Sequence, residues 1–338
     1  MDRITLNALQ GAAGAGGAEV NVEEVFSTYL YTGSVSPISI DNGIDLDGEG
    51  GMVWIKRRNI GFDHYVFDTE RGENLPIYAN GATAETAYQA NNGINSFDDD
   101  GFTLGNASSG TNSANPGYCS WTFRKAPKFF DVQTYTGNGT GQAIDHDLAS
   151  KPGMIICKRL DSTSVWTVYH SSLSNIKSYL TLNGNAAVAE GAGGATWPWY
   201  GVVPTTTQFS VAFGSNGNSD YENNINNAEY VAYLFAEDEA IIKCGTYEGT
   251  AALHTIDTGF AVQWVLVRKI DEGADWVLVD TERGDYTQIY PNESQIEQVK
   301  TAGIKVSPSV ASGFSVDGGT GDTNADGKDY LYVAIAAE

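Results

Sequence analysis

The feature that most constrains the fold of this sequence is a threefold internal repeat. Each copy contains an apolar segment that ends in basic residues, and the three segments are 51–58, 153–159 and 263–269. Lys56 and Lys158 are 102 residues apart, and Lys158 and Arg268 are 110 apart. A unit of about 105 residues can bury a hydrophobic core of its own, so the repeat predicts tandem domains rather than the stacked units of a solenoid.

Other segments recur in the same order and set the limits of the copies. Each copy opens with a tyrosine-containing turn, at 29–33, 134–139 and 246–250, and closes with an aromatic segment, at 118–124, 230–237 and 330–338. These positions predict an N-terminal segment and three domains: 1–21, 22–128, 129–240 and 241–338. The last three are called repeats 1, 2 and 3 below. The joints between them are short, so we expect the domains to touch.

Local sequence patterns within each repeat indicate strands. The apolar stretches are short, rich in Val, Ile, Tyr, Trp and Phe, and bounded by Gly, Asn, Asp and Ser. The 39 glycines and 18 tyrosines fit short strands joined by turns. Only residues 293–301 have the pattern of a short helix. The sequence therefore predicts an all-β fold of three tandem β-sandwich or jelly-roll domains.

Charge and cysteine content narrow the function classes. There are 19 Lys and Arg against 42 Asp and Glu, a formal net charge of −23. Such a surface repels phosphate backbones and anionic headgroups, which argues against nucleic acid as a partner. No apolar run is long enough to predict membrane insertion. The three cysteines, Cys119, Cys157 and Cys244, lack metal-site spacing and are expected to be free thiols of a protein assembled in a reducing cytoplasm.

The recurring motifs together resemble the repeat domain of tail-fibre and virion structural proteins of marine, cyanophage-type bacteriophages. The motifs are the Tyr-Thr-Gly turn, the Pro-Gly-Met to Lys-Arg block at 152–159, the Asp-Thr-Glu-Arg-Gly segments at 68–72 and 280–284, and the closing aromatic segment. The resemblance spans residues 22–338. It implies concanavalin- or laminin-G-like jelly rolls and a structural role in the virion, without established catalytic residues.

The resemblance also implies a location and a function for the chain. We expect a tail fibre or tail-associated protein on the virion exterior, assembled in the host cytoplasm, that contributes to recognition of host-surface glycans and to adsorption. A capsid decoration or head-fibre protein is the alternative. A polysaccharide depolymerase has less support, because Asp68 and Glu70 precede Arg71 in what reads as a turn with a local Asp–Arg pair. A glycosidase needs two carboxyl groups held apart across a substrate. We therefore expect no enzyme.

The first 21 residues have a separate character. Ile4, Leu6 and Leu9 form a short apolar pattern, followed by a Gly and Ala linker at 11–18. We expect this segment to anchor the chain in a neighbouring virion subunit. Homo-oligomers are also expected, with a trimer as the form typical of phage fibres, because symmetric multivalency multiplies weak contacts.

Two loops are candidate binding sites. Trp197, Trp199 and Tyr200 surround Pro198 and could form an aromatic platform for sugar rings, or a loop that covers its own core. Asp322, Asn324 and Asp326 match the first half of a calcium-binding loop, although the twelfth position is Val333 instead of a bidentate Glu. Calcium is the only cofactor that the sequence suggests.

Overall fold

The computed structural model describes residues 20–88, 92–106, 110–190, 198–213, 223–307, 310–318 and 321–338. In these residues the chain forms antiparallel sheets, with one 3₁₀ turn at Val22–Glu24. The all-β prediction is confirmed. The short helix predicted at 293–301 is wrong, because Gln298–Val299 pairs as a strand with Thr287–Gln288.

Repeat 1 contains eight strands in two sheets. They are β1 Phe26–Thr32, β2 Ile38–Asp41, β3 Gly51–Arg57, β4 His64–Asp68, β5 Ile77–Tyr78, β6 Ile94–Asp98, β7 Gly101–Leu104 and β8 Gly117–Arg124. The large sheet has the order β1-β8-β3-β4-β5, and the small sheet has the order β2-β7-β6.

Repeat 2 has the same arrangement, with a smaller second sheet. Its strands are β9 Phe130–Thr136, β10 Gly141–Asp145, β11 Pro152–Arg159, β12 Trp166–His170, β13 Ser178–Thr181, β14 Ala189–Glu190, β15 Gln208–Ala212 and β16 Glu229–Ala236. The large sheet has the order β14-β13-β12-β11-β16-β9, and β10 pairs with β15.

The third set of sheets begins at Asp238, three residues before the expected start of repeat 3. Its strands are β17 Asp238–Glu239, β18 Ile242–Glu248, β19 His254–Asp257, β20 Val262–Lys269, β21 Val277–Asp280, β22 Thr287–Gln288, β23 Gln298–Val299, β24 Ile304–Lys305, β25 Gly313–Val316 and β26 Asp329–Ala336. The orders are β17-β18-β26-β20-β21, β19-β25-β24 and β22-β23. Whether each repeat is a domain that folds on its own stays a prediction.

The central strands of the large sheets, β3, β11 and β20, are buried on both faces, which explains their near-continuous apolar sequences. In β3, Val53 and Ile55 pack in a core beneath the small sheet of repeat 1. Met52 and Trp54, which alternate with them, point into a second and larger cluster. That cluster also contains Trp166 of repeat 2 and residues of repeat 3, so all three repeats share it. Burial of apolar surface therefore holds the repeats to one another as well as within themselves.

Equivalent contacts close the three repeats into a ring. Trp166 Nε1 of repeat 2 donates to Tyr78 O of repeat 1 at 2.9 Å, and Trp276 Nε1 of repeat 3 donates to Thr181 O of repeat 2 at 2.9 Å. The equivalent residue of repeat 1, His64, is buried beside the main chain of repeat 3. Each repeat thus meets the one before it, and repeat 1 meets repeat 3.

Buried basic side chains follow the same cyclic pattern. Lys56 Nζ donates to Ser294 O of repeat 3 at 3.3 Å, and Lys158 Nζ donates to Ala82 O of repeat 1 at 3.2 Å. Arg268 donates to a main-chain oxygen of repeat 2. Burial lowers the pKa of Lys56 and of Lys158 to about 8 and that of Arg268 to about 10. The three basic side chains at equivalent positions therefore bind main-chain carbonyl groups of a neighbouring repeat: repeat 1 binds repeat 3, repeat 2 binds repeat 1, and repeat 3 binds repeat 2.

Candidate binding surface at three equivalent turns

Each large sheet leads into a turn with the same geometry in all three repeats. These opening turns are residues 33–37, 137–141 and 249–253. Behind each turn two tyrosine rings stack with centroids about 5 Å apart: Tyr31–Tyr118, Tyr135–Tyr230 and Tyr247–Tyr330. In repeat 1, Tyr31 Oη donates to Thr111 O at 2.8 Å, and Tyr118 Oη accepts from Ser113 N at 3.0 Å. The tyrosines thereby fix the loop that faces the turn.

A buried asparagine fixes the turn from the other side. Asn112 Oδ1 accepts from Ser34 N at 2.8 Å, and its Nδ2 donates to Ser36 O at 2.7 Å. Asn224 and Asn324 make the equivalent bonds to the opening turns of repeats 2 and 3. Because these amides are buried and fully engaged, each turn is held in one conformation.

The glycine in each opening turn is required by close packing. A Cβ on Gly33 would lie 2.1 Å from Ser113 O. A Cβ on Gly137 would lie 2.1 Å from Ile225 O. Gly249 has the same close approach to repeat 3 main chain. The Tyr-x-Gly motif is therefore explained by a tyrosine clamp and by a backbone contact that only glycine allows.

The residue at the tip of each turn lies in the left-handed region. The tips are Val35, Gly139 and Ala251, with φ of 64°, 73° and 52°. Each tip N–H donates to the main-chain oxygen of the clamping asparagine. Glycine suits this conformation, whereas a β-branched valine is strained in it. Backbone strain of this kind is concentrated at functional sites, so the strained conformation of Val35 indicates that the tips are candidate binding positions.

Each opening turn has an exposed apolar side chain either within it or lying over it. Val35 is 45% exposed in repeat 1, and Leu253 is 66% exposed in repeat 3. In repeat 2 the ring of Tyr200, which is 47% exposed, lies over Gly141 of the turn. Val35 lies at the tip of its turn, Leu253 at the end of its turn, and Tyr200 in a separate loop. Exposed apolar side chains therefore lie at all three opening turns, which indicates a contact surface.

Repeat 2 has further exposed apolar residues. Val202 and Val203, which follow Tyr200 closely in the sequence, are exposed, and so is Phe213. Phe213 N donates to Thr140 O at 2.9 Å, which holds the exposed phenyl ring beside the turn. Apolar groups next to turn hydroxyls and amides match the chemistry of saccharides, which have both apolar ring faces and hydroxyls.

The structure separates the three aromatic residues of the predicted platform. Trp197 lies outside the described residues. Trp199 is 2% exposed and packs edge-on against Tyr169, with ring centroids 5.8 Å apart. Tyr200 is exposed. Trp199 therefore contributes to the core under the surface, and glycan binding by Tyr200 stays a prediction.

The calcium candidate coincides with the clamp of repeat 3. Asn324 is buried, and its amide is engaged with Thr250 N and Ala252 O. Asp322 Oδ1 lies 3.5 Å from a main-chain N–H of repeat 3, and Asp326 is exposed. Within the described ranges, no group of three or more His, Cys, Asp or Glu side chains could hold a metal ion. Calcium stays a prediction, and the asparagine of the motif has a structural role.

The clamp has a sequence signal of its own, which the strand and turn patterns do not include. Each clamping asparagine precedes its clamping tyrosine by six residues, in the pairs Asn112–Tyr118, Asn224–Tyr230 and Asn324–Tyr330. The spacing is the same in all three repeats, whereas the residues between the asparagine and the tyrosine differ.

The anchor residues Ile4, Leu6 and Leu9 lie outside the described residues.

The Asp-Thr-Glu-Arg-Gly segments join repeats. Asp68 pairs with Arg71 at 2.6 Å, and Asp280 pairs with Arg283 at 2.7 Å, which confirms the local Asp–Arg pair expected from the sequence. Both carboxyl groups are buried. Asp68 also accepts from Tyr233 Oη of repeat 2 at 2.6 Å. The Asp280 carboxylate accepts from an indole N–H of repeat 1. These carboxylates are thus engaged in holding neighbouring repeats together.

A family model described as Domain of unknown function (DUF7483) matches residues 22–338. The chain belongs to the DUF7483 family. A search of the curated proteins found no match. The DUF7483 match begins at the 3₁₀ turn before β1 and includes all three opening turns, so the family is defined over the three repeats together. No helix in the described part of this DUF7483 chain is long and apolar enough to cross a membrane.

Proposed function

We propose that this chain is a structural protein of a bacteriophage particle, a tail fibre or tail-associated protein that contacts host-surface glycans through its opening turns. The observation that carries the binding role is the set of three clamped turns, each with an exposed apolar side chain either within it or lying over it. The place on a phage particle is supported by the resemblance of the repeated motifs over residues 22–338.

The arrangement of the turns favours binding of a ligand over its catalytic conversion. Their main chain is fixed by buried asparagine and tyrosine side chains, so little conformational entropy is lost when a ligand binds. The carboxylates of Asp68 and Asp280 are engaged by arginine and by a neighbouring repeat. Three weak contacts on one rigid body reinforce one another when the ligand is a polymer with many equivalent sites.

Binding to host cells and to immobilised bacterial glycans tests this proposal. We expect the purified full chain to bind, and a variant with Val35→Ser, Tyr200→Ser and Leu253→Ser to lose at least ten-fold in affinity. The matched control is Val299→Ser, which changes an exposed valine of β23 away from the turns. Equal binding by the triple variant and the control would overturn the role of the turns.

Residues 1–21 are proposed to connect the chain to another virion protein. The apolar residues Ile4, Leu6 and Leu9 precede a sequence of Gly and Ala at 11–18, a pattern that suits a peptide that docks into a separate subunit. Deletion of residues 1–18 is expected to abolish incorporation into particles without lowering the melting temperature of the purified chain. Normal incorporation of the deleted chain would contradict this proposal.

A further inference from the structure

The outer edge of β1 differs from the two equivalent edges. Within the described residues β1 pairs only with β8, so its far side is a sheet edge. Bonds from Arg124 N to Val25 O and from Gly33 N to Pro116 O direct the odd-numbered residues toward β8. The N–H and C=O groups of the even-numbered residues therefore point outward: Phe26, Thr28, Leu30 and Thr32.

The three equivalent edges are protected to different degrees. β9 carries Asp131, and β18 carries Lys243 and Glu248 and pairs at its start with β17. Charged residues and short covering strands are the usual means by which proteins prevent edge-to-edge pairing. Among the residues that the structure describes, no strand covers β1, and its seven residues contain no charge, glycine or proline. An uncharged edge in a chain of net charge −23 points to a surface that pairs with another strand.

We propose that β1 is a dimerisation edge, which pairs antiparallel with β1 of a second copy of this chain. A twofold axis at Tyr29 places Thr28 opposite Leu30 of the other copy, and Phe26 opposite Thr32. In this register all the outward N–H and C=O groups find partners. Tyr29, which is 36% exposed, lies opposite its own copy in a non-hydrogen-bonded pair, where side chains are closest.

The residues of β1 favour its own copy as the partner. Aromatic pairs and aromatic–polar pairs across strands stabilise a sheet, and no like charges meet in the twofold register. The two large sheets would then continue as one sheet across the dimer, as expected for an isologous contact. The −23 charge on each copy opposes association at low ionic strength, so the dimer is expected to strengthen with salt.

Sedimentation equilibrium of the full chain, at low and at physiological ionic strength, tests the proposal. The expected result is a dimer that becomes tighter as salt is added. Tyr29→Lys places two like charges opposite each other and is expected to weaken the dimer at least ten-fold. The control is Gln133→Lys at the equivalent position of β9, which is expected to leave the dimer intact.

A second variant keeps the test independent of folding. Thr28→Pro removes an outward N–H of the edge and no bond to β8, so the fold is expected to persist, as judged by circular dichroism, while the dimer is lost. The proposal is overturned if the wild-type chain is a monomer or a trimer at every salt concentration. A dimer that survives both Tyr29→Lys and Thr28→Pro would also overturn it, since another surface must then hold the two copies. Loss of glycan binding has no bearing on this test.

Discussion

Val35 combines strain and exposure in a single residue. It takes the left-handed conformation at a position where repeats 2 and 3 have Gly139 and Ala251. The left-handed backbone conformation lowers the stability of the fold by about 1–2 kcal/mol at a non-glycine residue. The side chain of Val35 is about half exposed, so its burial does little to offset this loss. We interpret the valine as retained for contact with a ligand at the expense of stability.

This interpretation predicts opposite effects of one substitution. Val35→Gly is expected to raise the free energy of unfolding by about 1 kcal/mol in urea titrations and to weaken glycan binding. Val203→Gly, an exposed valine outside the left-handed region, serves as the control and is expected to give no gain in stability. A loss of stability in Val35→Gly would contradict the strain at this tip.

His170 provides a residue-scale prediction for acid. Its Nε2 lies 3.1 Å from Tyr332 O of repeat 3, and its Nδ1 accepts from Ser172 N at 3.2 Å. Burial lowers the pKa of His170 to about 4, below the ordinary value of about 6.5 in an unfolded chain. The unfolded chain therefore binds more protons between these values, so stability is full above pH 6.5 and falls as the pH drops toward 4.

The substitution His170→Gln is expected to remove part of this acid sensitivity. The wild-type chain should lose up to about 3 kcal/mol between pH 6.5 and 4 through this group, and the variant should lose correspondingly less. Urea titrations at a series of pH values measure the difference. His64 and His146, whose pKa values are also lowered by burial, keep a part of the acid effect in both proteins. Identical pH profiles for the two proteins would contradict the assignment.

At the scale of elements, the opening turn depends on the close approach of two backbone segments. Gly33→Ala is expected to cost at least about 2 kcal/mol in unfolding free energy, because its Cβ would meet Ser113 O at 2.1 Å. Gly117→Ala, at the start of β8, places its Cβ in open space and is expected to change stability by less than about 1 kcal/mol. Thermal unfolding of the two variants compares them directly. Equal costs would show that the turn tolerates a side chain.

Local sequence patterns predicted the strands well and the loops poorly. Strand signals such as those of β3 and β20 reside in the residues themselves, because a doubly buried strand is apolar throughout. Residues 293–301 have a polar pattern that fits a helix, but pairing of Gln298–Val299 with β22 decides their conformation. That pairing is between segments separated along the chain, and periodicity in one segment does not report it.

The structure of the candidate binding loop was predictable only in part for a related reason. An aromatic cluster around Pro198 indicated an exposed platform, and Tyr200 is exposed. Trp199 is buried because Tyr169, thirty residues earlier, offers it a ring to pack against. The Asp322 to Asp326 pattern suggested a metal site, whereas the amide of Asn324 holds the opening turn. A short motif identifies residue types, whereas the role of each residue depends on its contacts in the folded structure.

At the scale of the whole molecule, the shared central cluster links the stability of the repeats. It contains Trp54 of repeat 1, Trp166 of repeat 2 and Trp264 of repeat 3. We therefore expect the full chain to unfold in a single calorimetric transition. A chain that ends at residue 240 would expose much of this cluster and is expected to aggregate or remain unfolded. Separate transitions, or a well-folded shortened chain, would show that the repeats are independent.

The central claim is that a ring of three repeats presents its opening turns to the host from the surface of a phage particle. Equivalent positions of a closed ring lie at the same height along its axis, so the three tips can meet one surface together. The claim expects a phage to encode this chain, and cryo-electron microscopy of purified particles of that phage tests the claim most directly. The claim predicts density for the chain on the tail, with the opening turns and the residues Val35, Tyr200 and Leu253 facing away from the particle. Density over the capsid would assign a decoration role instead, and absence of the chain from the particle, or turns packed against it, would contradict the claim.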